Sequence, residues 1–574
     1  MPTEFFNADM LLFIDHRVDW SRYFSLCRPG AVNVTEEVDT YKTILRTAGG
    51  ICEDIAAGAR GHWHEAVTLV DGRVVVPPHV AAGYDKLRAA GLVCLPLSRK
   101  YNGYGLPVLL NCCYLEMVAR ADPSLMTIIG LQAGIAGDIE KYGSEEVKQQ
   151  YLPRFATGEL QGAMDLTEPQ AGSDLGGIAT SVSQDGSRYF IDGEKIYITN
   201  GGAPVHLVLA RDAATFKRST GTTTGLSLML CPVTLCDGTP NRVRVTRVES
   251  KMGIHGSPTC VVEFEHAEAF LLGRRGGGFR AMLDLMNQAR LGVAAQAIGV
   301  AEAAYRQARE YAAQRVQFGA PIIEQPLVKS MLTHMEINIQ AARALLYRTC
   351  ALIDVTHAMQ QYVESERGRA DPDGATLQRE LKLNARLIRF FTPLCKYYAS
   401  EVSNAVTRQG IQVHGGLGYM AESVAGQYHL DAIVTTIYEG TSEIQASFAL
   451  SEMSRGALLV TLQQIRDTLG PLREQYPDLV GLISDAVDRC ISDSIPALMG
   501  HPQYALLNAK QVCEMVIDVV VAVELLSQAS VSEAKYALAA SFIQRRMLAV
   551  EMNARWIRSG DASRLTRYDR ILGL

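Results

Sequence analysis

The sequence lacks several features that mark whole classes of protein. Its most apolar run, Met515 to Leu526, contains two acidic residues and is shorter than the roughly 20 residues that span a bilayer. The first thirteen residues include early acids and have neither the basic region nor the small-residue cleavage site of a signal peptide. We therefore expect a cytoplasmic protein without membrane insertion, in which Met515 to Leu526 forms a buried helix.

Positive charge is not in excess. The 574 residues contain 55 Lys and Arg against 61 Asp and Glu, which gives a formal net charge of -6. Because nucleic-acid binding depends on neutralising phosphates with Lys and Arg, this balance argues against a nucleic-acid-binding protein. The C-terminal stretch is locally basic, and we interpret it as a solvated helix face. Its arginines are Arg545, Arg546, Arg555, Arg558, Arg564, Arg567 and Arg570.

The twelve cysteines form no CxxC pair next to paired histidines, so the pattern of a zinc site is missing and no metal is expected. In a cytosolic chain such thiols stay reduced and pack as small apolar side chains.

The chain does contain two changes of hydrophobic period. Apolar residues recur at helical spacing, then alternate in segments rich in β-branched residues, and then return to helical spacing. Helices followed by strands followed by helices indicate a mostly α, α+β protein with segregated domains rather than a Rossmann fold. We predict an N-terminal segment (1–35), an α-helical N-terminal domain (36–160), a middle antiparallel β domain of seven or eight strands (161–277), a helical bundle domain (278–454) and an additional C-terminal helical domain (455–574).

Three long amphipathic helices are predicted in the bundle region, from Phe279 to Gln314, Pro326 to Val363 and Leu377 to Gln412. The polar stretch from Val363 to Glu380 is rich in turn residues, so we expect a surface excursion between two of these helices.

A first candidate cluster combines the Gly/Ser/Thr loop from Asp165 to Asp174 with the segment from Lys195 to Asn200. Such a loop offers backbone N–H groups and hydroxyls to a heteroaromatic ring or a phosphate. Tyr197 and Thr199, two residues apart on a predicted strand, would share one face and supply a stacking surface and a donor. An ordinary loop and hairpin is the alternative.

A second cluster combines Arg315–Gly319 with Gln412–Gly416. Arg315, at the end of a long helix, has the guanidinium geometry that suits a pyrophosphate. The pair Gly415 and Gly416 would let backbone approach a ligand closely. The alternative is a helix C-terminus followed by a turn.

The third cluster is the segment from Ile437 to Gln445, in which Glu439 precedes Gly-Thr-Ser. An acid in this position can cap the helix that follows. It can equally be a carboxylate held in an apolar site that takes a proton from carbon.

Taken together, six motifs resemble those of the acyl-CoA dehydrogenase family, in order and near the family's usual spacing, over residues 40–450. They are TEPQAGSD (167–174), KIYITNGG (195–202), KMGIHGSPT (251–259), RVQFG (315–319), QVHGGLGY (412–419) and YEGTSEIQ (438–445). The resemblance implies a helical N-terminal domain, a β-barrel-like middle domain and a C-terminal four-helix bundle. It also implies bound FAD, between the middle and bundle domains, with the adenine end reaching a neighbouring subunit.

The resemblance assigns roles residue by residue. Glu439 matches the catalytic base, and Ala289 occupies the position at which some members instead carry that base. The positions that match the family's substrate contacts are Ser173, Asn287, Arg290 and Gly440. Those that match its FAD contacts are Met164, Leu166, Thr167, Gly172, Ser173, Tyr197, Thr199, Arg315, Gln317, Phe318, Gln325, Gln412, Gly415, Gly416, Thr441 and Glu443.

The implied reaction is α,β-dehydrogenation of an acyl-CoA thioester to a trans-2-enoyl-CoA. Glu439 would take the α-proton while N5 of the flavin accepts the β-hydride, and the base's own N–H and a ribityl hydroxyl would stabilise charge on the thioester oxygen. Electrons would pass to an electron-transferring flavoprotein. With its C-terminal extension the chain resembles a long bacterial subgroup that includes 3-methylmercaptopropionyl-CoA dehydrogenases and broad-range fatty acyl-CoA dehydrogenases. We expect a homodimer, with a tetramer as the alternative.

Several positions depart from the family pattern. Tyr197 replaces the usual Trp, Pro326 stands where many members have a flavin-contacting Gln, and Asn287 and Ser451 replace residues that often face CoA. Two rival functions share this fold: an acyl-CoA oxidase that passes electrons to O₂, and a DNA-associated alkylation-response homologue. A catalytically silent binding subunit is disfavoured because Glu439 is present.

Overall fold

The computed structural model describes residues 4–28 and 33–574. Residues 1–3 and 29–32, which belong to the predicted N-terminal segment, lie outside the described residues.

Helices dominate both ends of the described chain. They are α1 (Ala8–His16), α2 (Trp20–Cys27), α3 (Val34–Ala59), α4 (Pro78–Ala89), α5 (Val108–Ala121), α6 (Pro123–Tyr142), α7 (Glu145–Ala156), α8 (Phe216–Ser219), α9 (Gly278–Gln314), α10 (Pro326–Glu364), α11 (Glu366–Arg369), α12 (Gly374–His414), α13 (Val424–Ile433), α14 (Ser442–Glu452), α15 (Leu458–Leu472), α16 (Pro477–Asp485), α17 (Asp493–Leu498), α18 (Pro502–Leu507), α19 (Ala509–Val531), α20 (Tyr536–Arg558), α21 (Ser563–Thr566) and α22 (Tyr568–Leu572).

The strands are concentrated between α7 and α9. In chain order they are β1 (Thr68–Val70), β2 (Arg73–Val75), β3 (Gly162–Asp165), β4 (Ser181–Asp185), β5 (Arg188–Thr199), β6 (Val205–Asp212), β7 (Leu226–Pro232), β8 (Val243–Val248), β9 (Thr259–Leu272), β10 (Val316–Gln317) and β11 (Ala320–Pro321). The α, β, α order of the chain is therefore as predicted.

The chain divides into two compact units. The first comprises Met1–Phe6, Tyr41–Ala308 and Gly410–Thr435, and the second comprises Asn7–Thr40, Arg309–Gln409 and Thr436–Leu574. The four boundaries drawn from the sequence between the five segments stay a prediction.

In the first unit, seven strands of the described chain form one sheet. Its order is β3-β6-β4-β5-β9-β7, β8 pairs with β9, and β7 also pairs with β6, so the strands from β6 round to β7 close into a barrel. Strands β6 and β7 are buried along their whole length, as expected for strands covered on both faces.

The sheet corrects one part of the prediction. Strand β6 runs parallel to both β3 and β4, while the other pairings are antiparallel. Alternating apolar residues identify a strand but carry no information on the direction of its neighbour, so the two parallel pairings within the predicted antiparallel domain could not be foreseen.

Local signals explain where the key helices begin. In the first unit, Asp122 accepts the backbone N–H groups of Ser124 and Leu125, and Pro123 takes the first helical position of α6. In the second unit, Pro326 does the same for α10, directly after Gln325.

The three predicted long helices correspond to α9, α10 and α12. The predicted surface excursion is shorter than expected, because α12 already begins at Gly374 and the short helix α11 lies within the stretch. Residues 374–376, which precede the predicted helix start at Leu377, therefore already belong to the first turn of α12. A short, largely exposed first turn carries little apolar periodicity, so its start is hard to place from the sequence.

The predicted buried helix around Met515 to Leu526 lies within α19 of the second unit, where these residues are buried. Its two acids are paired: Asp518 with Arg546 at 2.7 Å, and Glu524 with Arg17 at 2.9 Å. Pairing is what makes a buried carboxylate tolerable in an apolar helix.

No helix within residues 4–28 or 33–574 combines the length and apolar character needed to cross a bilayer. The twelve cysteines are free thiols, ten of them buried. In the same part of the chain, no group of three or more His, Cys, Asp or Glu side chains is arranged to hold a metal ion.

Candidate active site

The Gly/Ser/Thr loop of the first unit follows β3 and is tied to β5. The backbone N–H of Ile196 donates to the carbonyl of Thr167 at 2.9 Å. Glu168 and Ala171 exchange two backbone hydrogen bonds, of 2.9 and 3.0 Å, so the chain turns tightly between them. The structure thus brings together the two segments of the first predicted cluster.

A buried ion pair between Lys195 of β5 and Glu168 of the loop holds this loop in place. The ammonium of Lys195 donates to the carbonyls of Leu166 and Leu209, at 2.9 and 2.8 Å, and to the carboxylate of Glu168 at 2.7 Å. Glu168 also accepts the backbone N–H of Ala179 at 2.7 Å. Burial lowers the pKa of Lys195, and it acts to raise the pKa of Glu168. The pKa of Glu168 is nevertheless held below its ordinary value, because the ammonium and the N–H donors outweigh burial.

A β-bulge in β5 sets the direction of Tyr197. The register against β9 shifts between Lys195 and Ile198, and Tyr197 has a φ of +59°. Bulges of this kind re-aim a side chain. The Tyr197 ring is 62 % exposed while Ile198 is buried, and Thr199 is half-buried. Tyr197 and Thr199 both lie away from the buried side, although the bulge makes the strand irregular at this point.

The glycines at the predicted cofactor positions of this unit face open space. An added Cβ at Gly172 would meet only the Cγ2 of Thr167, at 4.0 Å, and one at Gly415 or Gly416 would meet nothing within 4 Å. Gly415, with a φ of +62°, follows directly after the end of α12. Nothing in the described chain crowds these positions, so they leave room for a ligand to approach the backbone.

Helices α5, α6 and α9 of the first unit enclose a cavity of about 60 Å³. Its walls are mostly apolar and include Leu115, Leu131 and Leu285, with the carboxamides of Asn111 and Gln288 as polar members. Ala289, at the alternative position for the base in the family, also lines it. A small, mainly apolar cavity with a few polar groups is the usual form of a small-molecule site.

Arg290 and Asn287 lie one turn apart on α9. A terminal guanidinium nitrogen of Arg290 donates to the Oδ1 of Asn287 at 3.1 Å, and Arg290 is buried. The two predicted substrate-binding residues are therefore in contact with each other in this structure. Their contact with CoA stays a prediction.

In the second unit, the RVQFG motif forms a hairpin rather than the simple turn considered as its alternative. Strands β10 and β11 are joined by Phe318 and Gly319, with φ of +55° and +82°, as in a type I′ turn. Arg315 and Gln317 are exposed, and the ring of Phe318 at the tip is 96 % exposed. The contacts of Arg315, Gln317 and Phe318 with FAD stay a prediction.

The Glu439 segment belongs to the second unit and precedes α14. Glu439 is half-buried and has a φ of +56°, followed by Gly440 with a φ of +96°. The helix cap is Thr441, whose hydroxyl accepts the N–H of Ile444 at 3.4 Å. Glu439 therefore does not cap the helix, and its role as the catalytic base stays a prediction.

Two buried side chains that are not among the predicted site residues hold this segment. Lys396 of α12 donates to the carbonyl of Gly440 at 2.7 Å. Gln445 of α14 donates to the carbonyls of Glu439 and Gly440 at 2.9 and 3.1 Å. The sequence signal for Lys396 was a lone cation within the apolar run Phe390 to Tyr398, since an unpaired charge at a buried position would be costly.

Three family models match the chain, and together they cover more than half of it. The N-terminal domain model of acyl-CoA dehydrogenase matches residues 54–159, the middle domain model matches 163–267, and the C-terminal domain model matches 276–366 and 377–453. The region after residue 453 lies outside these matches.

Two relatives illustrate the similarity. The 3-methylmercaptopropionyl-CoA dehydrogenase of Ruegeria pomeroyi is 33 % identical over 76 % of this chain and 74 % of its own length. An acyl-CoA dehydrogenase of Bacillus subtilis is 32 % identical over 63 % of this chain and 86 % of its own.

Solved structures agree. Butyryl-CoA dehydrogenase from Megasphaera elsdenii is 29 % identical, with a TM-score of 0.60 over 72 % of this chain and 98 % of its own. A chain from a structural study of the electron-transferring flavoprotein of Acidaminococcus fermentans is 28 % identical, with a TM-score of 0.59 over 72 % of this chain and 97 % of its own. An acyl-CoA dehydrogenase from Bacillus anthracis, complexed with FAD, has a TM-score of 0.73 over 90 % of this chain and 88 % of its own. Because it is only 24 % identical, this similarity supports the fold alone.

The residues present fit a flavin cofactor. The exposed ring of Tyr197 offers a face to a flat heteroaromatic ring, and the loop beside it offers backbone groups. The open glycines at Gly172, Gly415 and Gly416 leave room for close approach. With this fit, the three matched domains and the relatives, the chain belongs to the acyl-CoA dehydrogenase family and is an FAD-dependent oxidoreductase.

Proposed function

We propose that this enzyme dehydrogenates short acyl-CoA thioesters to trans-2-enoyl-CoA, with Glu439 as the base that removes the α-proton. The observation that carries the proposal is the placement of Glu439: a half-buried carboxylate on a left-handed residue, with the helix cap supplied by Thr441 instead. A left-handed conformation at a residue other than glycine is uncommon and concentrates at functional sites.

The proposed reaction requires three contributions from residues of this chain. The α-proton of a thioester is weakly acidic, so the carboxylate of Glu439 must be held where it can reach that proton. Charge that develops on the thioester oxygen must meet a donor, for which we propose the backbone N–H of Glu439. Tyr197, with its exposed ring, would orient the flavin by stacking. Bound FAD supplies the acceptor for the β-hydride.

The cavity between α5, α6 and α9 supports a short acyl chain. Its volume is about 60 Å³, which is small beside the roughly 300–1,000 Å³ of pockets that hold larger ligands, so it suits a chain of only a few non-hydrogen atoms. The acyl group in the name of the Ruegeria pomeroyi relative falls within this size. The carboxamides of Asn111 and Gln288 would tolerate a heteroatom in the chain.

Two features of the assembly belong to the same proposal. We propose a homodimer, supported by the almost fully exposed ring of Phe318, because a partner surface would bury it. Light scattering at micromolar concentration tests this, and a monomer or a tetramer would contradict it. We also propose that electrons leave to an electron-transferring flavoprotein, supported by the similarity to a chain from the Acidaminococcus fermentans study.

The electron acceptor separates this function from that of an oxidase. Stopped-flow mixing of the substrate-reduced enzyme with air should give slow reoxidation, and addition of an electron-transferring flavoprotein should accelerate it. Fast reoxidation by O₂ alone would favour the acyl-CoA oxidase. A salt-dependent shift of duplex DNA in a gel would instead support the function of a DNA-associated alkylation-response homologue.

The base assignment is tested by Glu439→Gln. The variant should stay folded and yellow, because the amide keeps the size of the side chain. Anaerobic bleaching of the flavin by butyryl-CoA should slow by on the order of 10²–10⁴-fold, because proton abstraction is lost. Glu474→Gln, at an exposed glutamate remote in sequence from every predicted site residue, is the matched control and should bleach normally. Bleaching of Glu439→Gln at the wild-type rate would exclude Glu439 as the base.

A further inference from the structure

A buried lysine contacts the backbone beside Glu439 from a distant part of the chain. Lys396 is fully buried on α12, and its ammonium donates to the carbonyl of Gly440 at 2.7 Å, 44 positions along the sequence. Burying an ammonium group is costly unless it is hydrogen-bonded. The bond to Gly440 therefore places this charge beside the segment that carries Glu439.

A second buried donor converges on the same peptide group. Gln445 is fully buried on the first turns of α14, and its side-chain amide donates to the carbonyls of Glu439 and Gly440, at 2.9 and 3.1 Å. The carbonyl of Gly440 thus accepts from both Lys396 and Gln445. Lys396 on α12 and Gln445 on α14 therefore donate to the carbonyls of Glu439 and Gly440. These are the first two carbonyls after the α-carbon of Glu439.

These bonds oppose a conformational preference. Glu439 and Gly440 have φ of +56° and +96°, and a non-glycine residue relaxes readily out of the left-handed region. Such a residue keeps its conformation only where the surrounding structure over-determines it. The bonds from Lys396 and Gln445 are what over-determines it here, because rotation of the backbone at Glu439 would break them.

Further contacts hold the neighbouring part of α14 in place. Glu401, one turn beyond Lys396 on α12, accepts the hydroxyl of Ser442 at 2.6 Å. Helix α19, which belongs to the extension beyond the family match, packs against α14. The thiol of Cys513 on α19 lies 3.7 Å from the carbonyl of Ala446. The segment carrying Glu439 therefore rests on α12 from one side and on the C-terminal extension through α14.

We propose that Lys396 and Gln445 are positioning residues for the base: they fix the backbone at Glu439 and Gly440 so that the Glu439 carboxylate points at the substrate's α-carbon. This inference rests on the proposed function of Glu439. It predicts that loss of either donor slows proton abstraction while substrate and flavin still bind, because neither side chain needs to touch them. A merely structural role would instead lower the stability of the fold and leave the rate of the folded enzyme unchanged.

The test uses the full-length holoenzyme with Lys396→Met and Gln445→Met, which keep side-chain length and remove the donors. Flavin reduction by saturating butyryl-CoA is followed anaerobically in a single turnover. Its first-order rate should fall on the order of 100-fold in each variant, as expected when a catalytic group shifts by about an ångström. The Kd of crotonyl-CoA, the enoyl product, should change by less than about threefold. Lys382→Met, at an exposed lysine of the same helix, is the control and should reduce at the wild-type rate.

The outcomes are distinguishable. Reduction of either variant at the wild-type rate overturns the proposal, and so does an equal loss of rate and of crotonyl-CoA affinity, which would mean a damaged site. If Lys396→Met fails to fold with FAD, the rate of Gln445→Met decides by the same criteria. If Glu439→Gln retains bleaching, the proposed function itself fails. If Glu439→Gln is inactive while both methionine variants are normal, only the positioning role fails.

Discussion

The ammonium of Lys195 lies 2.7 Å from the carboxylate of Glu168, and both side chains are buried beneath the loop that follows β3. A lysine four residues before the end of a strand therefore supports a loop that precedes it by almost thirty positions, through Leu166 and Glu168. The pair is part of the scaffold of the proposed flavin loop rather than part of its chemistry.

Removing one partner of the Lys195–Glu168 pair should lower the free energy of unfolding more than removing both. Lys195→Met leaves Glu168 buried without its cation and should lower the free energy of unfolding by about 3–5 kcal/mol. The double variant Lys195→Met/Glu168→Gln should recover part of that loss, since no buried charge is left. Urea titrations at pH 7 measure both. A double variant less stable than the single one would contradict the role of the buried charge.

Tyr197 should contribute to flavin affinity through its exposed ring. Tyr197→Ala removes the stacking face and should weaken FAD binding up to about tenfold, the equivalent of the 0.5–1.5 kcal/mol expected of an aromatic pair. Tyr197→Trp restores a face and should bind at least as well as the wild type. Quenching of flavin fluorescence on titration into apoprotein gives the Kd. Tyr536→Ala, at another exposed tyrosine, controls for nonspecific effects, and an unchanged Kd for Tyr197→Ala would remove Tyr197 from the cofactor site.

The cavity should set the preferred acyl-chain length, and Gly134 is the place to alter it. A Cβ at Gly134 would lie 3.5 Å from the Cγ of Leu285 and 3.9 Å from Gln288, so a small side chain fits but takes up cavity space. Gly134→Val should lower kcat/KM for hexanoyl-CoA more than for butyryl-CoA, by about tenfold or more for each methylene displaced, within the range measured for apolar pockets.

An acyl-CoA panel with an artificial electron acceptor measures this preference. Gly50→Val is the control, because a Cβ at Gly50 meets nothing within 4 Å. An equal loss for both chain lengths would mean that Gly134→Val perturbs the fold instead of the acyl site.

Asp138 should make stability fall with rising pH. Burial, with the neighbouring charge of Asp284, raises the pKa of Asp138 from 3.8 to about 8. The folded protein therefore holds a proton that the unfolded chain releases, and stability is lost as the pH rises from about 4 towards about 8. Asp138→Asn carries no such proton, so its urea midpoint should fall less than that of the wild type between pH 5 and pH 8. An equal fall of the urea midpoint with pH in the wild type and in Asp138→Asn would contradict the raised pKa of Asp138.

Part of the fold could be predicted because its signals are local. The long helices α9, α10 and α12 follow from apolar spacing, from a proline at the first position of α10 and from the glycine run before α9. The parallel pairings of β6 and the bulge at Tyr197 could not be predicted, because they depend on which strand lies alongside.

The candidate site divides in the same way. Glu439, Tyr197 and Arg315 were identifiable because each belongs to a contiguous motif. Lys396 was not, because its partner Gly440 is 44 positions away and only the folded chain brings the two together. Gln445 stood in a quoted motif, but its role depends on the conformation of Glu439.

The sequence by itself determined the order of helical and β segments, the residue types at the site and the family they resemble, since these depend on local periodicity and on contiguous motifs. Only the tertiary structure decided that Thr441 rather than Glu439 caps α14, that Glu439 is left-handed, and that two buried donors hold it there. The physical reason is that a hydrogen bond between residues distant in sequence leaves no periodic signal, and a strained φ is stable only in the presence of its partners.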